Sequence, residues 1–202
     1  MDRKQHWDAA YTNRNVCAAG WHQPHPELSL KLILEVLPAS GRVIDVGGGA
    51  SVLVDRLLEH GVKKVAVLDI SSAALQTNKA RMGDQASQVE WIVADVTTVN
   101  TLGEFDVWHD RAMFHFLTSA QDRQKYAELA ARTIPVGGHL VISAFAKDGP
   151  AKCSGLDVCR YDGRELCQEL GAAFKLIRET HETHVTPTGA VQPFAFCLFE
   201  RV

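Results

Sequence analysis

From Arg42 onward the chain alternates short apolar runs with stretches of helical period, and this alternation constrains the fold more than any other feature. The runs cover residues 43–46, 64–69, 89–94, 105–108 and 138–143. Each is short enough to be a strand, and a strand buried on both faces reads as continuous apolar sequence. Strand and helix in series predict a parallel sheet covered by helices on both faces. After Gly149-Pro150 the pattern changes to a helix over 163–170, a strand near 174–179 and a last apolar strand near 194–199. The turn Thr186-Pro187-Thr188-Gly189 joins these two strands, so a hairpin is expected to close the sheet with an antiparallel edge.

The chain has 202 residues and no composition break, so one domain with one sizeable core is the economical reading. Residues 1–41 form an arm rich in aromatic and histidine side chains (Trp7, Tyr11, Trp21, His22, His25), followed by a helix starting at Pro26, a residue favoured at the first helical position. Residues 42–145 are the predicted core, and 146–202 complete the sheet.

Charged residues make up 22% of the chain and the net charge is -3, which provides no basic stripe for a phosphate backbone or an anionic membrane surface. No apolar run approaches the ~18 residues of a membrane span, and a cytosolic protein is expected. Cys17, Cys153, Cys159, Cys167 and Cys197 are odd in number and scattered, which argues for free or structural thiols. The pairs His22/His25 and His181/His184 have ligand-like spacing, but Pro24 interrupts the first and Val185 with its threonine neighbours favours a strand for the second, so no metal is expected.

The predicted chemistry centres on the turn Asp45-Val46-Gly47-Gly48-Gly49, which follows a strand and precedes a helical run from Val52 to Leu58. Gly47 and Gly49 let the backbone turn sharply and bring a ligand to a helix N-terminus. A dinucleotide site wants a small residue at the sixth position of its glycine pattern, and Val52 stands there. S-adenosylmethionine has no pyrophosphate and needs only a close backbone approach. Asp69, at the end of the second run, can accept hydrogen bonds from ribose hydroxyls, and Asp95, after the third, can accept the exocyclic amino proton of adenine. Each aspartate alone reads equally well as a helix cap or turn former, but three in register point to an adenosyl ligand.

The series Val43–Val46 with its glycines, Asp69, Ala94-Asp95, Phe105-Asp106-Val107-Trp108 and Pro135-Val136-Gly137-Gly138 resembles the class I S-adenosylmethionine-dependent methyltransferases over roughly residues 40–145. That resemblance implies a Rossmann-like fold with a seven-stranded, mostly parallel sheet whose last strand is antiparallel. It also places the cofactor over the C-terminal ends of the first strands. The departure from the family pattern is Ser51, where many members carry a third glycine. The segment Asp110-Arg111-Ala112, with Asp122-Arg123 and the tract Gly20-Trp21-His22-Gln23, is similar to the thiopurine methyltransferase branch. The predicted cofactor-binding set is Asp45, Gly47, Gly49, Asp69, Ile70, Asp95, Val96, His109 and Trp21.

Methyl transfer from a sulfonium is an in-line displacement, so alignment of donor and acceptor matters more than stabilising new charge. The expected acceptor is a small molecule, a thiol or an amine, which must lose a proton before or during attack. Arg111, Asp110 and His115, beyond the fourth run, are the predicted catalytic residues, with Arg111 orienting the acceptor or binding an anion. Arg111 has an alternative as a surface ion pair with Asp110 or Asp122, and His115 has one as a core group among Phe114, Phe116 and Leu117. Trp7, Tyr11, Trp21 and His22 read as a lid or as a helix packed on the sheet, and Cys153, Arg160 and Gln192 as possible walls of the acceptor pocket. Competing functions are a protein-lysine methyltransferase, a binding protein on a degenerate fold and a nicotinamide-dependent oxidoreductase.

Overall fold

A computed structural model describes residues 2–12 and 19–202, and Cys17 lies outside the described residues. Its sheet has β1 (Val43–Val46), β2 (Val65–Asp69), β3 (Val89–Val93), β4 (Val107–Arg111) and β5 (His139–Phe145) in parallel, and β6 (Lys152–Cys153) with β7 (Leu156–Asp157) forms a separate small hairpin. The sheet is completed by β8 (Phe174–Val185) and β9 (Val191–Arg201), giving the order β3-β2-β1-β4-β5-β9-β8.

Only β9 runs antiparallel to the rest, as expected of the last strand, but it is not the edge. It inserts between β5 and β8 because Phe194–Phe199 is apolar on both faces and is buried throughout. β8 alternates exposed and covered residues, the pattern an edge strand tolerates. Both strands extend beyond the expected ranges, and β8 continues through His181 and His184 to Val185.

Side chains alternate across a strand with period two, and this sorts the core into halves. Ile44, Val46, Leu68, Trp108 and Ile142 face α5 (Ala120–Thr133) and α6 (Gly163–Leu170). Val43, Val67, Val107 and Val141 face α2 (Glu27–Val36) and α3 (Leu53–Glu59), with α4 (Ser72–Met82) covering the same side. Truncating a fully buried residue such as Ile44 to alanine would cost about 2–5 kcal/mol. The α2 helix begins one residue after the expected Pro26, whose carbonyl still accepts the Leu30 amide at 2.9 Å.

The arm contributes α1 (Arg3–Thr12), whose covered face is short: Ala10 is buried and Trp7 and Tyr11 beside it are partly buried. Polar contacts also seat it. Arg3 Nη2 pairs with Asp122 of α5 at 2.8 Å, and Asp8 Oδ1 accepts the Ser71 hydroxyl at 2.7 Å. Asp8 thus sits at the α4 N-terminus, where a carboxylate is favoured by the exposed amides and the helix dipole.

Candidate active site

The C-terminal ends of β1, β2 and β4 open into a cavity roofed by α1 and by Trp21. Its floor is the turn after β1. Gly47 and Gly49 both take positive φ, 70° and 50°, and the Gly47 amide donates to the Leu68 carbonyl at 2.7 Å. A side chain at Gly47 would run into Met113, and one at Gly48 would meet Asp45 Oδ2 at 2.5 Å and Val67 at 2.8 Å. Gly49 is not itself on the wall. Its carbonyl accepts the Asn78 amide at 3.1 Å, and the Tyr11 hydroxyl covers it.

Of the predicted cofactor set, Asp45, Gly47, Asp69, Ile70, Asp95, Val96, His109 and Trp21 line this cavity. Asp69 Oδ1 accepts the Ser71 amide at 2.7 Å, which fixes its rotamer. Burial pushes its carboxyl up to about 7, and the nearby Asp45 and Asp8 charges act in the same direction. Asp95 lies past the end of β3, and its Oδ1 accepts the Thr97 amide at 2.8 Å and the Thr97 hydroxyl at 2.7 Å. Asp45 Oδ1 lies 2.7 Å from His109 Nδ1, and His109 Nε2 lies 2.9 Å from the Ser29 hydroxyl.

The predicted catalytic residues divide. His109, Asp110 and Arg111 fall inside β4, not beyond it, so strand alternation separates them. Arg111 lines the cavity with His109, whereas Asp110 is turned to the α5 face. There Asp110 accepts the Tyr126 hydroxyl at 2.9 Å and the Met113 amide at 2.9 Å, and burial raises its carboxyl to about 6. The expectation that Asp110 acts on an acceptor is thereby corrected, because its acceptor capacity is spent inside the fold.

His115 is likewise off the cavity wall. It is 0% exposed in a 3-10 turn, Phe114–Phe116, its ring lies 4.9 Å from that of Phe145, and burial pushes it down to about 3. A base for the acceptor would have to reach the cavity, so this expectation too is corrected in favour of a core group.

Arg111 Nη1 donates to the Trp21 carbonyl at 3.1 Å, and the guanidinium carbon lies 4.8 Å from the centre of the Phe194 ring. Its Nε and Nη2 are shut off from solvent and have no hydrogen-bond partner among the described residues. The residue is half-buried as a whole, but its head group is desolvated, which pushes its pKa down. The surface ion pairs with Asp110 or Asp122 do not form, since Asp122 pairs with Arg3 and Asp110 faces away.

Around Arg111 the wall continues through His22, Ala112, Met113, Phe116, Cys153 and Ser154. Ala112 (φ 67°) and Ser154 (φ 53°) are the non-glycine residues with positive φ among the described residues, and both are on this wall. Backbone strain of this kind concentrates at functional sites. Trp7 packs edge-on against Phe116 at 5.0 Å and against Trp21 at 5.9 Å, so the arm's aromatics are a roof and not a separate core. Arg160 and Gln192 are absent from the wall.

Sequence reasoning missed Ser29. A signal was present, because Ser29 falls in phase with Leu32, Ile33 and Val36 on the apolar stripe of its helix.

Residues 43–138 match a family described as a methyltransferase domain. The Ribosomal RNA small subunit methyltransferase C of Cronobacter sakazakii is 31% identical over 52% of this chain and 32% of its own length. The Malonyl-[acyl-carrier protein] O-methyltransferase 1 of Ilyobacter polytropus is 24% identical over 61% of this chain and 45% of its length. The chain thus spans less than half the length of these curated relatives. Among solved structures, a SAM-dependent methyltransferase from Anabaena variabilis superposes with a TM-score of 0.77 at 12% identity, covering 98% of this chain and 93% of that one. The N-methyltransferase NodS from Bradyrhizobium japonicum, solved in complex with S-adenosyl-l-homocysteine, gives 0.72 at 16% identity over 98% and 97%.

The strand order defines a Rossmann-like fold, and its glycine turn and carboxylates are of the kind that suits a nucleoside. Residues 43–138 thus match a methyltransferase domain, the fold is that of solved SAM-dependent methyltransferases, and S-adenosylmethionine is the cofactor that this similarity implies. The residues present suit it: Gly47 and Gly48 have no room for a Cβ, so the turn stays bare backbone at the cavity wall, and Asp69 has no cationic partner among the described residues.

Proposed function

We propose that this chain transfers the methyl group of S-adenosylmethionine to a small nucleophile, a thiol or an amine, in the cytosol. The observation that carries the reading is that the desolvated Arg111 head group and the glycine cradle share one cavity under one aromatic roof. The cofactor supplies an electrophilic methyl on a sulfonium. Gly47 and Gly48 would admit its amino-acid part, Asp69 would accept from the ribose hydroxyls, and Asp95, Ile70 and Val96 would border the adenine. Trp21 and Trp7 would exclude water and hold the acceptor in line. Arg111 would orient the acceptor with Nε and Nη2, and its positive charge favours an acceptor that attacks as an anion, as a thiolate does.

Mass spectrometry of labelled methyl transfer to a panel of small thiols and amines, run beside the macromolecular fraction of a lysate, tests this. Label in the small-molecule fraction is the expected result. Label confined to macromolecules would replace it with a second reading, methylation of a macromolecule such as a protein lysine. The curated relatives, a ribosomal RNA methyltransferase and a malonyl-[acyl-carrier protein] O-methyltransferase, favour an acceptor carried on a macromolecule. The net charge of -3 weighs against an RNA acceptor.

A further inference from the structure

Asp45, His109 and Ser29 come from three elements, β1, β4 and α2, and form one hydrogen-bonded line. The parallel ladder of β1 and β4 pairs Asp45 with His109, so both side chains rise from the same face toward α2. The three are 3%, 2% and 1% exposed, yet each borders the cavity. A carboxylate only accepts, so His109 Nδ1 carries the proton and donates to Asp45 Oδ1. In the neutral ring Nε2 then accepts the Ser29 hydroxyl proton. The imidazole is held at both ends, and it holds one carboxylate oxygen in turn.

The other oxygen, Asp45 Oδ2, accepts from none of the described residues and lies over Gly48, in space that any side chain there would occupy. No lysine or arginine among the described residues forms an ion pair with Asp45. A buried carboxylate without a cation is unfavourable unless a ligand brings one. We infer that Ser29 and His109 are positioning residues that aim Asp45 Oδ2 at the ammonium group of the cofactor's amino-acid tail. This rests on the cofactor reading of the cavity. It adds a residue from α2 to the donor site and gives His109 an indirect role: it orients the group that makes the contact.

The test compares two nucleosides by calorimetry. S-adenosylhomocysteine carries the amino-acid tail, and methylthioadenosine lacks it. Ser29→Ala and His109→Gln should each weaken S-adenosylhomocysteine roughly tenfold, the size expected for loss of one charge-assisted hydrogen bond, and leave methylthioadenosine within about twofold. Ser29→Thr, which keeps the hydroxyl, should restore affinity for the tailed ligand. Methylthioadenosine binding also reports an intact cradle, so a variant that merely misfolds shows equal loss of both ligands. Equal loss of both ligands in variants that keep the Tm of the unaltered chain, or no loss in either, would overturn the relay while leaving the cofactor reading in place. Failure of the unaltered chain to bind either nucleoside would overturn both. Covalent labelling of Ser29 by a fluorophosphonate would show a nucleophilic serine and overturn the positioning role.

Discussion

The Tyr11 hydroxyl lies in the space that a side chain at Gly49 would fill, so the arm and the glycine turn meet without a gap. The cavity retains about 140 Å³ of free volume. Sites for drug-sized ligands usually measure about 300–1,000 Å³, so Tyr11 is expected to yield when the donor enters. Trp7 and Trp21 pack against Tyr11 at 6.4 and 5.8 Å between rings, and their indole fluorescence should therefore change as S-adenosylhomocysteine is titrated in. Tyr11→Phe removes the hydroxyl from Gly49 and should speed association. An unchanged rate and a silent fluorescence signal would mean that the donor enters without moving the arm.

Donor binding at Asp69 should depend on pH. Two ribose hydroxyls need acceptors, and the protonated carboxyl offers one fewer than the carboxylate. With the folded-state carboxyl raised to about 7, chiefly by burial, binding should draw on the ionised form and release a proton. Affinity should rise from about pH 6 to about pH 8 and flatten in Asp69→Asn. The sign for stability is opposite. A raised carboxyl contributes stability that is fully present below its unfolded value and is lost as pH rises through about 7. The gain in Tm on adding S-adenosylhomocysteine should therefore be larger near pH 8 than near pH 6.

The buried strands were legible because helices cover both of their faces, which leaves uninterrupted apolar runs such as Val65–Asp69. β4 was not, beyond Trp108. Its continuation His109-Asp110-Arg111 is polar, and an apolar run ends where such residues begin. These side chains stay in the strand because partners distant in sequence receive them: Ser29 and Asp45 for His109, Tyr126 for Asp110, and the Trp21 carbonyl for Arg111. Once the strand is one turn of pleat longer, alternation separates Asp110 from Arg111, and the two cannot serve one site. The roof was visible as a cluster of aromatics, but its docking was not. Asp8 on the α4 N-terminus and Arg3 on Asp122 are contacts across 63 and 119 residues.

Arg111 should matter for the acceptor and not for the donor. Its Nε and Nη2 have no hydrogen-bond partner among the described residues, and the residue lines the cavity. Arg111→Met should lower kcat/KM for an anionic acceptor by about 10–100-fold, the range for one charge-assisted hydrogen bond, and leave S-adenosylhomocysteine affinity within about twofold. Arg111→Lys keeps the charge but loses the fork of donors, and it should recover part of the loss. Steady-state kinetics with thiols of matched size and differing charge would check this. Equal losses for anionic and cationic acceptors would show a structural role.

His115 should act on stability alone. Both ring nitrogens are buried without partners among the described residues, and the ring packs against Phe116 and Phe145. An unpaired buried polar atom costs about 1–3 kcal/mol, so His115→Phe, which keeps a ring and removes the nitrogens, should raise the midpoint of urea unfolding. The gain should grow in acid. Burial, aided by the Arg111 charge, lowers the folded-state pKa of His115 to about 3. Its contribution is therefore present above the unfolded value of 6.5 and is lost as pH falls below that toward 3, at about 1.4 kcal/mol per pH unit. Unfolding of both proteins near pH 7.5 and near pH 5.5 would measure the difference, which should be wider at the lower pH. A parallel decline of the two proteins would assign the acid sensitivity to other groups. A fall in turnover for His115→Phe with donor binding intact would return His115 to the reaction.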